Sequence, residues 1–208
     1  MRESMQYDVL IVGAGPAGLA CAIRLKQLAE AEGKTLSVCV LEKGAAVGAH
    51  LLSGAVLETR ALDELLPNWQ SMGAPIDTAV TTDDFQYLYN DQKGLKLPTP
   101  KLMKNDGNYI VSLSELGRWL ATQAEALGVE IFAGFAASEI LYHADGAVKG
   151  VATGDMGIQK NGEKGDNYTQ GVEIHAHQTV FAEGCRGSLS KQLIAQFDLQ
   201  KDKSPQTY

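Results

Sequence analysis

The stretch Tyr7-Asp-Val-Leu-Ile-Val-Gly13-Ala-Gly15-Pro-Ala-Gly18 decides the fold of this chain. Its apolar run, Val9 to Val12, predicts a buried strand that ends at the first glycine. Apolar residues at helical spacing follow, and a second apolar run, Ser37 to Leu41, then ends at Glu42. Strand, glycine turn, helix and second strand together form a βαβ unit, so the stretch is typical of a dinucleotide-binding fingerprint.

Each position of the fingerprint has a physical reason. Gly13 permits the tight turn that leaves the strand, Gly15 lets the backbone approach a pyrophosphate, and Gly18 lets the helix pack against the strand. Pro16 and Ala17 form the first helical turn, whose unpaired amides and positive dipole end attract an anion. We expect these five residues to hold the phosphates.

Glu42 ends the second strand, where a carboxylate is placed to accept hydrogen bonds from both hydroxyls of a ribose. A carboxylate at this position argues against a 2′-phosphate, and therefore against NADP. A glycine turn in some unrelated α/β protein is the alternative, but it does not explain the terminal acid. On these residues alone, the dinucleotide could be NAD or FAD.

The composition describes a globular chain that can bury a sizeable core, with 208 residues of which 45% are hydrophobic. Its net charge of −7 argues against nucleic acid as a partner and against simple electrostatic attachment to an anionic membrane. The three cysteines, Cys21, Cys39 and Cys185, do not have the spacing of a metal or iron–sulfur site. No metal ligand is therefore assigned.

A glycine-rich loop, Lys43 to Gly54, follows the second strand. Its small residues would let it lie against a flat ligand, and His50 and Ser53 offer hydrogen bonds there. A cofactor-lining loop and a surface loop with an incidental histidine are equal alternatives on sequence alone. The apolar residues from Val47 to Leu66 are a candidate membrane contact, although the simpler interpretation is that they belong to the buried core and to the cofactor loop.

The remaining chain is predicted to complete the fold around a small inserted lobe, residues 55–109, with a hairpin at Asn90-Asp91. A capping box at Ser112 begins a helix, and a strand follows it. Two meander strands, a polar loop over residues 154–170 and a third meander strand, Gly171 to His177, come next. A separate strand from Thr179 then reaches a second glycine turn, so residues 1–54 and 110–200 form the nucleotide-binding domain.

These blocks resemble a known group of proteins. The fingerprint, the meander and the turn Ala182-Glu-Gly-Cys-Arg-Gly187 resemble FAD-binding flavoproteins of the glutathione-reductase-like fold, including hydroxylases and geranylgeranyl reductases. The stretches Gly48-Ala-His-Leu-Leu-Ser-Gly54, Leu66-Pro-Asn-Trp69 and Gly107-Asn-Tyr109 are similar to the amino-terminal portion of the electron-transfer-flavoprotein:ubiquinone oxidoreductase family. The similar blocks run over nearly the whole chain.

The resemblance implies a Rossmann-like FAD-binding domain and a set of residues around the cofactor. FAD would take the place of the unspecified dinucleotide, and the flavin itself would carry the redox chemistry, so no catalytic residue is assigned. A proton-donating role for His50 is less favoured than a packing or hydrogen-bonding role. The implied cofactor-binding residues are Gly13, Gly15, Pro16, Ala17, Gly18, Glu42, Lys43, His50, Leu51, Ser53, Gly54, Ala137, Glu183, Gly184 and Arg186.

The resemblance also implies partners and a location. Family members take electrons from reduced electron-transfer flavoprotein, pass them through FAD and a [4Fe–4S] cluster, and reduce ubiquinone at a membrane surface. That surface would be the cytoplasmic face of a bacterial inner membrane, or the mitochondrial inner membrane in eukaryotic members.

The family's cluster cysteines, quinone segment and third flavin segment have no match here, and residues 201–208 resemble mid-domain sequence. We therefore expect an incomplete domain that is inactive alone. A flavin monooxygenase or geranylgeranyl-reductase-like enzyme is an alternative, although Leu113 stands where that branch usually has an arginine. A non-catalytic FAD-binding fragment is the other alternative.

Overall fold

The computed structural model describes residues 2–51, 53–159 and 161–203. The helices are α1 (Pro16–Ala31), α2 (Arg60–Leu65), α3 (Leu113–Ala126) and α4 (Ser188–Gln196), and a 3-10 helix covers Lys101–Met103. The strands are β1 (Ser4–Val12), β2 (Val38–Glu42), β3 (Ser53–Leu57), β4 (Thr78–Ala79), β5 (Phe85–Leu88), β6 (Gly94–Leu97), β7 (Tyr109–Ser112), β8 (Glu130–Ala133), β9 (Ala137–Tyr142), β10 (Val148–Thr153), β11 (Met156–Ile158), β12 (Lys164–Thr169) and β13 (Glu173–Phe181).

A six-stranded sheet in the order β8-β2-β1-β13-β10-β9 forms the centre of the molecule. The first four strands of this order run parallel to one another, whereas β10 is antiparallel to β13 and β9 is antiparallel to β10. The predicted α/β class, with a parallel sheet and an antiparallel meander, is confirmed. Strand β1 lies between β2 and β13, and its Leu10 and Ile11 are fully buried.

Two predictions about the second half of the chain were wrong. The meander strand ending at His177 and the strand beginning at Thr179 are one continuous strand, β13. Its first residues pair antiparallel with β10, and its whole length pairs parallel with β1, from Ser4 opposite Glu173 to Val12 opposite Phe181. The exposed pair His177 and Gln178 interrupts the apolar pattern within this strand, which is why the sequence suggested a break.

The predicted polar loop over residues 154–170 contains a hairpin, β11 with β12. Most of its residues are exposed. A strand with one buried face shows apolar and polar residues in alternation, and this alternation is what identifies it in a sequence. The hairpin buries little surface and lacks the alternation, so the sequence did not predict it.

Helices cover both faces of the sheet. Successive side chains of a strand point to opposite faces, so an apolar strand such as β1 presents apolar side chains on both of them. Val9 and Ile11 of β1 pack in a core with α1 and α3, whereas Leu10 and Val12 pack in a second core on the opposite face. Leu189 of α4 belongs to that second core. Each face of the central strand is therefore buried against helices, as expected for a parallel sheet.

The helix boundaries follow local signals. Pro16 stands at the start of α1, and Gly33, with φ +64°, follows its end. The hydroxyl oxygen of Ser112 accepts a hydrogen bond from the backbone N–H of Glu115 at 3.4 Å, so the N-cap predicted for α3 is confirmed. Gly128, with φ +78°, follows the end of α3.

The segment between β2 and α3 forms a second small sheet, β3-β7-β4, and the hairpin β5-β6. The side chains of Val47, Leu62, Leu66 and Trp69 are buried in the same core as α1 and α3. Burial in the core, rather than a membrane contact, therefore accounts for Val47, Leu62 and Leu66 of the predicted stretch. The division into a nucleotide-binding domain and an inserted lobe stays a prediction.

Candidate dinucleotide-binding site

Two glycine turns lie side by side at the carboxyl edge of the central sheet. The chain leaves β1 at Gly13, whose N–H donates to the carbonyl oxygen of Leu41 at 2.8 Å. It leaves β13 at Ala182, whose N–H donates to the carbonyl oxygen of Val12 at 2.8 Å. Because β1 and β13 are adjacent and parallel, the two glycine turns that the sequence predicts lie next to each other at the carboxyl ends of these strands. Open α/β sheets bind their ligands at this edge.

Gly13 and Gly18 are required by the protein's own packing. A Cβ on Gly13 would stand 2.5 Å from the carbonyl oxygen of Ala182, and its φ of +109° disfavours any other residue. A Cβ on Gly18 would overlap the carbonyl oxygen of Gly13. The close packing of α1 at Gly18 is the one that the fingerprint predicts, whereas the approach of the chain leaving β13 to Gly13 is seen only in the structure.

Gly15 is different, because nothing in the described structure lies within 4 Å of a Cβ built there. Its φ of −75° is accessible to every residue, so the backbone does not require a glycine at this position. The helix that it precedes has no side-chain cap and no acidic residue in its first turn. Open space beside an uncapped helix N-terminus fits a bound pyrophosphate.

Glu42 lies at the end of β2 and connects the first turn to the following loop. Its carboxylate accepts hydrogen bonds from the backbone N–H of Gly44 at 2.6 Å and of Ala14 at 3.2 Å. A carboxylate can accept about four hydrogen bonds, so acceptor capacity remains for ribose hydroxyls. The sequence placed this side chain correctly at the strand end, but its two bonds to the backbone are visible only in the structure.

The loop after Glu42 is held against the start of α3. Gly48 has φ +85°, and a Cβ on it would stand 2.5 Å from the carbonyl oxygen of Ser114. The hydroxyl of Ser114 donates to the carbonyl oxygen of Leu51 at 2.8 Å. Lys43 and His50 are exposed along this loop. A Cβ on Gly44 would lie 3.3 Å from Nδ1 of His50, so the histidine is close to the Glu42 end of the loop.

The last residues of the predicted cofactor loop belong to β3. Ser53 pairs with Ser112 of β7, while Leu52 and the side chain of Ser53 lie outside the described residues. Gly54 is exposed with φ +77°.

A connection from β8 passes next to Glu42 before it reaches Ala137. The N–H of Gly134 donates to the carbonyl oxygen of Gly44 at 2.7 Å, and the N–H of Phe135 donates to that of Glu42 at 3.0 Å. Ala137 then begins β9, opposite Thr153 of β10. The structure therefore brings this segment to the ribose end of the candidate site, while a contact of Ala137 with adenine stays a prediction.

The second turn carries a helix cap that sequence reasoning missed. The carboxylate of Glu183 accepts hydrogen bonds from the hydroxyl and N–H of Ser190, both at 2.7 Å, and from the N–H of Leu189 at 3.3 Å. An N-cap side chain ordinarily accepts a hydrogen bond from an N–H two or three residues later in the chain. Glu183 instead accepts from N–H groups six and seven residues later. Gly184 has φ +81°, and Arg186 is exposed.

The cysteines lie in three different environments. Burial raises the pKa of the Cys39 thiol to about 12, whereas Cys21 is half-buried and Cys185 is exposed at the second turn. Among residues 2–51, 53–159 and 161–203, no group of three or more histidine, cysteine or acidic side chains could hold a metal ion.

The fold and the paired glycine turns define a Rossmann-like dinucleotide-binding domain of the flavoprotein type. A family model described as an NAD(P)-binding Rossmann-like domain matches residues 11–73. The crystal structure of aklavinone-11 hydroxylase in a ternary complex with FAD and aklavinone has the same fold, with a TM-score of 0.58 and 22% identity. The similarity covers 93% of this chain and 35% of that one.

Curated relatives extend the similarity to the whole chain. The mitochondrial electron transfer flavoprotein-ubiquinone oxidoreductase of Dictyostelium discoideum is 56% identical over 100% of this chain and 34% of its own length. A probable electron transfer flavoprotein-ubiquinone oxidoreductase of Acinetobacter baylyi is 58% identical over 100% of this chain and 37% of its own. The resemblance to this family is confirmed, and the chain spans about a third of the length of these relatives.

Proposed function

We propose that this chain is the FAD-binding part of an oxidoreductase that transfers electrons from reduced electron-transfer flavoprotein to ubiquinone. The observation that carries the proposal is the identity of 56% and 58% to two proteins named for this activity, each over the entire chain. The similarity to aklavinone-11 hydroxylase, at 22% identity, extends to the fold alone and does not favour a hydroxylase.

The residues at the glycine turns fit FAD. The open space at Gly15 and the uncapped start of α1 would receive the pyrophosphate, and the carboxylate of Glu42 would bind the adenosine ribose. The loop from Lys43 to Gly54 and the turn at Gly184 would border the flavin. When bound, FAD supplies the electron-accepting and electron-donating chemistry. The protein's own part is then to hold the cofactor, position it and limit its contact with water.

Glu42 would couple ribose binding to the shape of the site. Its carboxylate already holds the amides of Ala14 and Gly44, one in the phosphate turn and one in the loop that follows β2. A ribose bound to the same carboxylate would therefore be aligned with both segments. This arrangement would fix the position of the pyrophosphate of FAD relative to its adenosine ribose.

The family resemblance also implies an iron–sulfur cluster, which we propose is bound by residues other than those described here. A [4Fe–4S] cluster needs four thiolates close together. Cys21 lies on α1, Cys39 lies in β2 and Cys185 follows β13, in three different environments. These three cysteines do not fit such a site, and no step is assigned to it.

An exposed apolar surface on the hairpin β5-β6 supports a peripheral membrane contact. The side chains of Tyr87 and Leu88 are 61% and 67% exposed, and Leu102 of the adjacent 3-10 helix is fully exposed. The charged residues of this stretch have both signs, since Lys93 and Lys101 stand in it together with Asp84 and Asp91. Exposed apolar and aromatic side chains suit the interfacial region of a membrane, so the contact would rest on them rather than on charge. We propose contact here with the cytoplasmic face of a bacterial inner membrane, or with the mitochondrial inner membrane in eukaryotic relatives.

The helices in the described part of the chain are all too short or too polar to cross a membrane. Vesicle sedimentation tests the peripheral contact on vesicles that contain about 30% anionic lipid. Leu88→Glu is expected to reduce binding by at least about fivefold, while Ile158→Glu, an exposed apolar position on β11, should leave it unchanged. Equal losses for the two variants would contradict the assignment of this surface.

Cofactor binding and electron transfer are tested separately. The purified chain should bind FAD, measured by the absorbance spectrum and by isothermal titration, and should bind NAD at least about tenfold more weakly. A chimera in which residues 2–203 replace the matching part of the Acinetobacter relative should then reduce ubiquinone with reduced electron-transfer flavoprotein. A chimera that binds FAD but cannot be reduced by that donor would refute the proposed substrate.

A further inference from the structure

A depression away from the glycine turns contains three of the chain's four histidines. Strand pairing assembles it, because Gln6 of β1 lies opposite His175 of β13, which lies opposite Gly150 of β10. Its lining residues are Gln6, His143, Lys149, His175, Ala176 and His177. None of the residues that line it is acidic, although the chain as a whole has a net charge of −7.

Two carboxylates lie near the histidines. Glu173 is hydrogen-bonded to Nε2 of His175 at 2.8 Å, and this bond lowers the pKa of the carboxyl group. Asp8 accepts hydrogen bonds from the N–H and the hydroxyl of Ser37, at 2.8 and 2.7 Å. These bonds, and to a lesser extent the nearby His177, lower the pKa of Asp8. Both carboxylates therefore stay ionised at neutral and weakly acidic pH.

Arg2 also influences the Glu173 carboxylate. It is itself paired with Glu139 at 2.8 Å, so its charge is largely offset. The charged and titratable groups of this region are thus three imidazoles and the ammonium of Lys149, against the carboxylates of Glu173 and Asp8 and that of Asp145, which lies in the turn that begins at His143.

The charge of this depression depends on whether its three imidazoles carry a proton. With neutral imidazoles, the ammonium of Lys149 is outnumbered by the nearby carboxylates, which disfavours an anion. An imidazole ordinarily takes up a proton near pH 6.5. With protonated imidazoles, four cationic groups outnumber the three carboxylates. We propose that this histidine-lined depression binds a tetrahedral oxyanion of the phosphate or sulfate class, and that it does so in weakly acidic solution.

A metal ion would be the other natural ligand for imidazoles. Metal ligands must converge on one point at about 2.0–2.1 Å from the ion. No such convergence of three ligands exists among the described residues, the three histidines included. An oxyanion is larger and accepts hydrogen bonds at several separated oxygens, so donors spread over a depression suit it better.

Sulfate is the probe of choice because it remains a dianion throughout the titration. The purified chain is titrated with sodium sulfate at pH 6.0 and at pH 8.0, and the imidazole Cε1–H signals are followed by NMR, with sodium chloride at equal ionic strength as the reference. At pH 6.0 we expect saturable shifts of the three signals from the depression. At pH 8.0 the affinity should fall by at least about tenfold. Phosphate and methyl phosphate then distinguish a free oxyanion from a phosphate monoester.

Substitutions locate the response. Lys149→Gln is expected to weaken sulfate binding by about threefold or more, whereas Lys34→Gln, an exposed lysine elsewhere, should not. His50 reports anions that bind at the start of α1, and its signal should respond equally in both variants. Far-UV circular dichroism confirms folding, and His143→Gln replaces Lys149→Gln if the latter unfolds.

Three results would overturn the proposal. Equal shifts with chloride would mean simple screening, and equal sulfate affinity at the two pH values would remove the role of the histidines. Shifts produced by micromolar zinc but not by sulfate would identify a metal site.

Discussion

Replacement of Gly15 by valine is expected to abolish FAD binding while the chain stays folded. A Cβ at this position meets no described atom within 4 Å outside its chain neighbours, and the backbone φ of −75° suits any residue. The position is the N-cap of α1, where replacing glycine by an aliphatic residue costs at most about 1 kcal/mol. The stability of the chain should therefore change little.

The loss of affinity can be derived from the space that the valine would occupy. A phosphate oxygen bonded to a backbone amide lies about 2.9 Å from the nitrogen, whereas a methyl group needs about 3.5–4.0 Å from the same oxygen. The pyrophosphate would thus be displaced by roughly 1 Å, which breaks at least two charge-assisted hydrogen bonds. At about 1.5–3 kcal/mol each, the loss is about 3 kcal/mol or more, equivalent to at least about a hundredfold in Kd.

Titration of FAD measures the affinity, and urea unfolding measures the stability of the same variant. Gly13→Ala and Gly18→Ala provide the contrast, because an added Cβ would meet backbone oxygens in both cases. These two variants should lose stability as well as FAD. If Gly15→Val binds FAD within about threefold of the unaltered chain, the phosphates do not lie at the start of α1 and the interpretation of the fingerprint is refuted.

Three other variants and measurements test the structure. Glu183→Ala should lower the free energy of unfolding by about 1–2 kcal/mol through loss of the α4 cap, and Glu183→Gln by less; equal stability in urea would contradict the cap. A thiol reagent should modify Cys185 at least about a hundredfold faster than Cys39, because burial raises the pKa of Cys39 to about 12; mass spectrometry of the labelled peptides gives both rates. Hydrogen bonds from Ser37 lower the folded-state pKa of Asp8, so this stabilisation is present at neutral pH and is lost as the pH falls below about 4. In melting curves between pH 6 and pH 3, Ser37→Ala should therefore weaken the acid dependence, and an unchanged profile would contradict the assignment.

Local features of this protein followed from its sequence alone. The glycine fingerprint, the helix beginning at Pro16 and the cap at Ser112 were all predicted, because each depends on residues close together in the chain. The tight turn at Gly13 and the close packing at Gly18 were also predicted, since the βαβ unit is itself a local structure, whereas the approach of Ala182 to Gly13 was not. Similarity to the flavoprotein family came from short blocks that keep the same order along the chain.

Long-range pairing was decided only by the tertiary structure. Strand β13 is continuous because it pairs with β10 and β1 at once, and neither partner is near it in the chain. The Glu183 cap and the two amide bonds of Glu42 join segments through space, so no local pattern announces them. The histidines at 143, 175 and 177 share one depression for the same reason. Residue type and spacing determine which elements form, whereas sheet register determines which side chains meet.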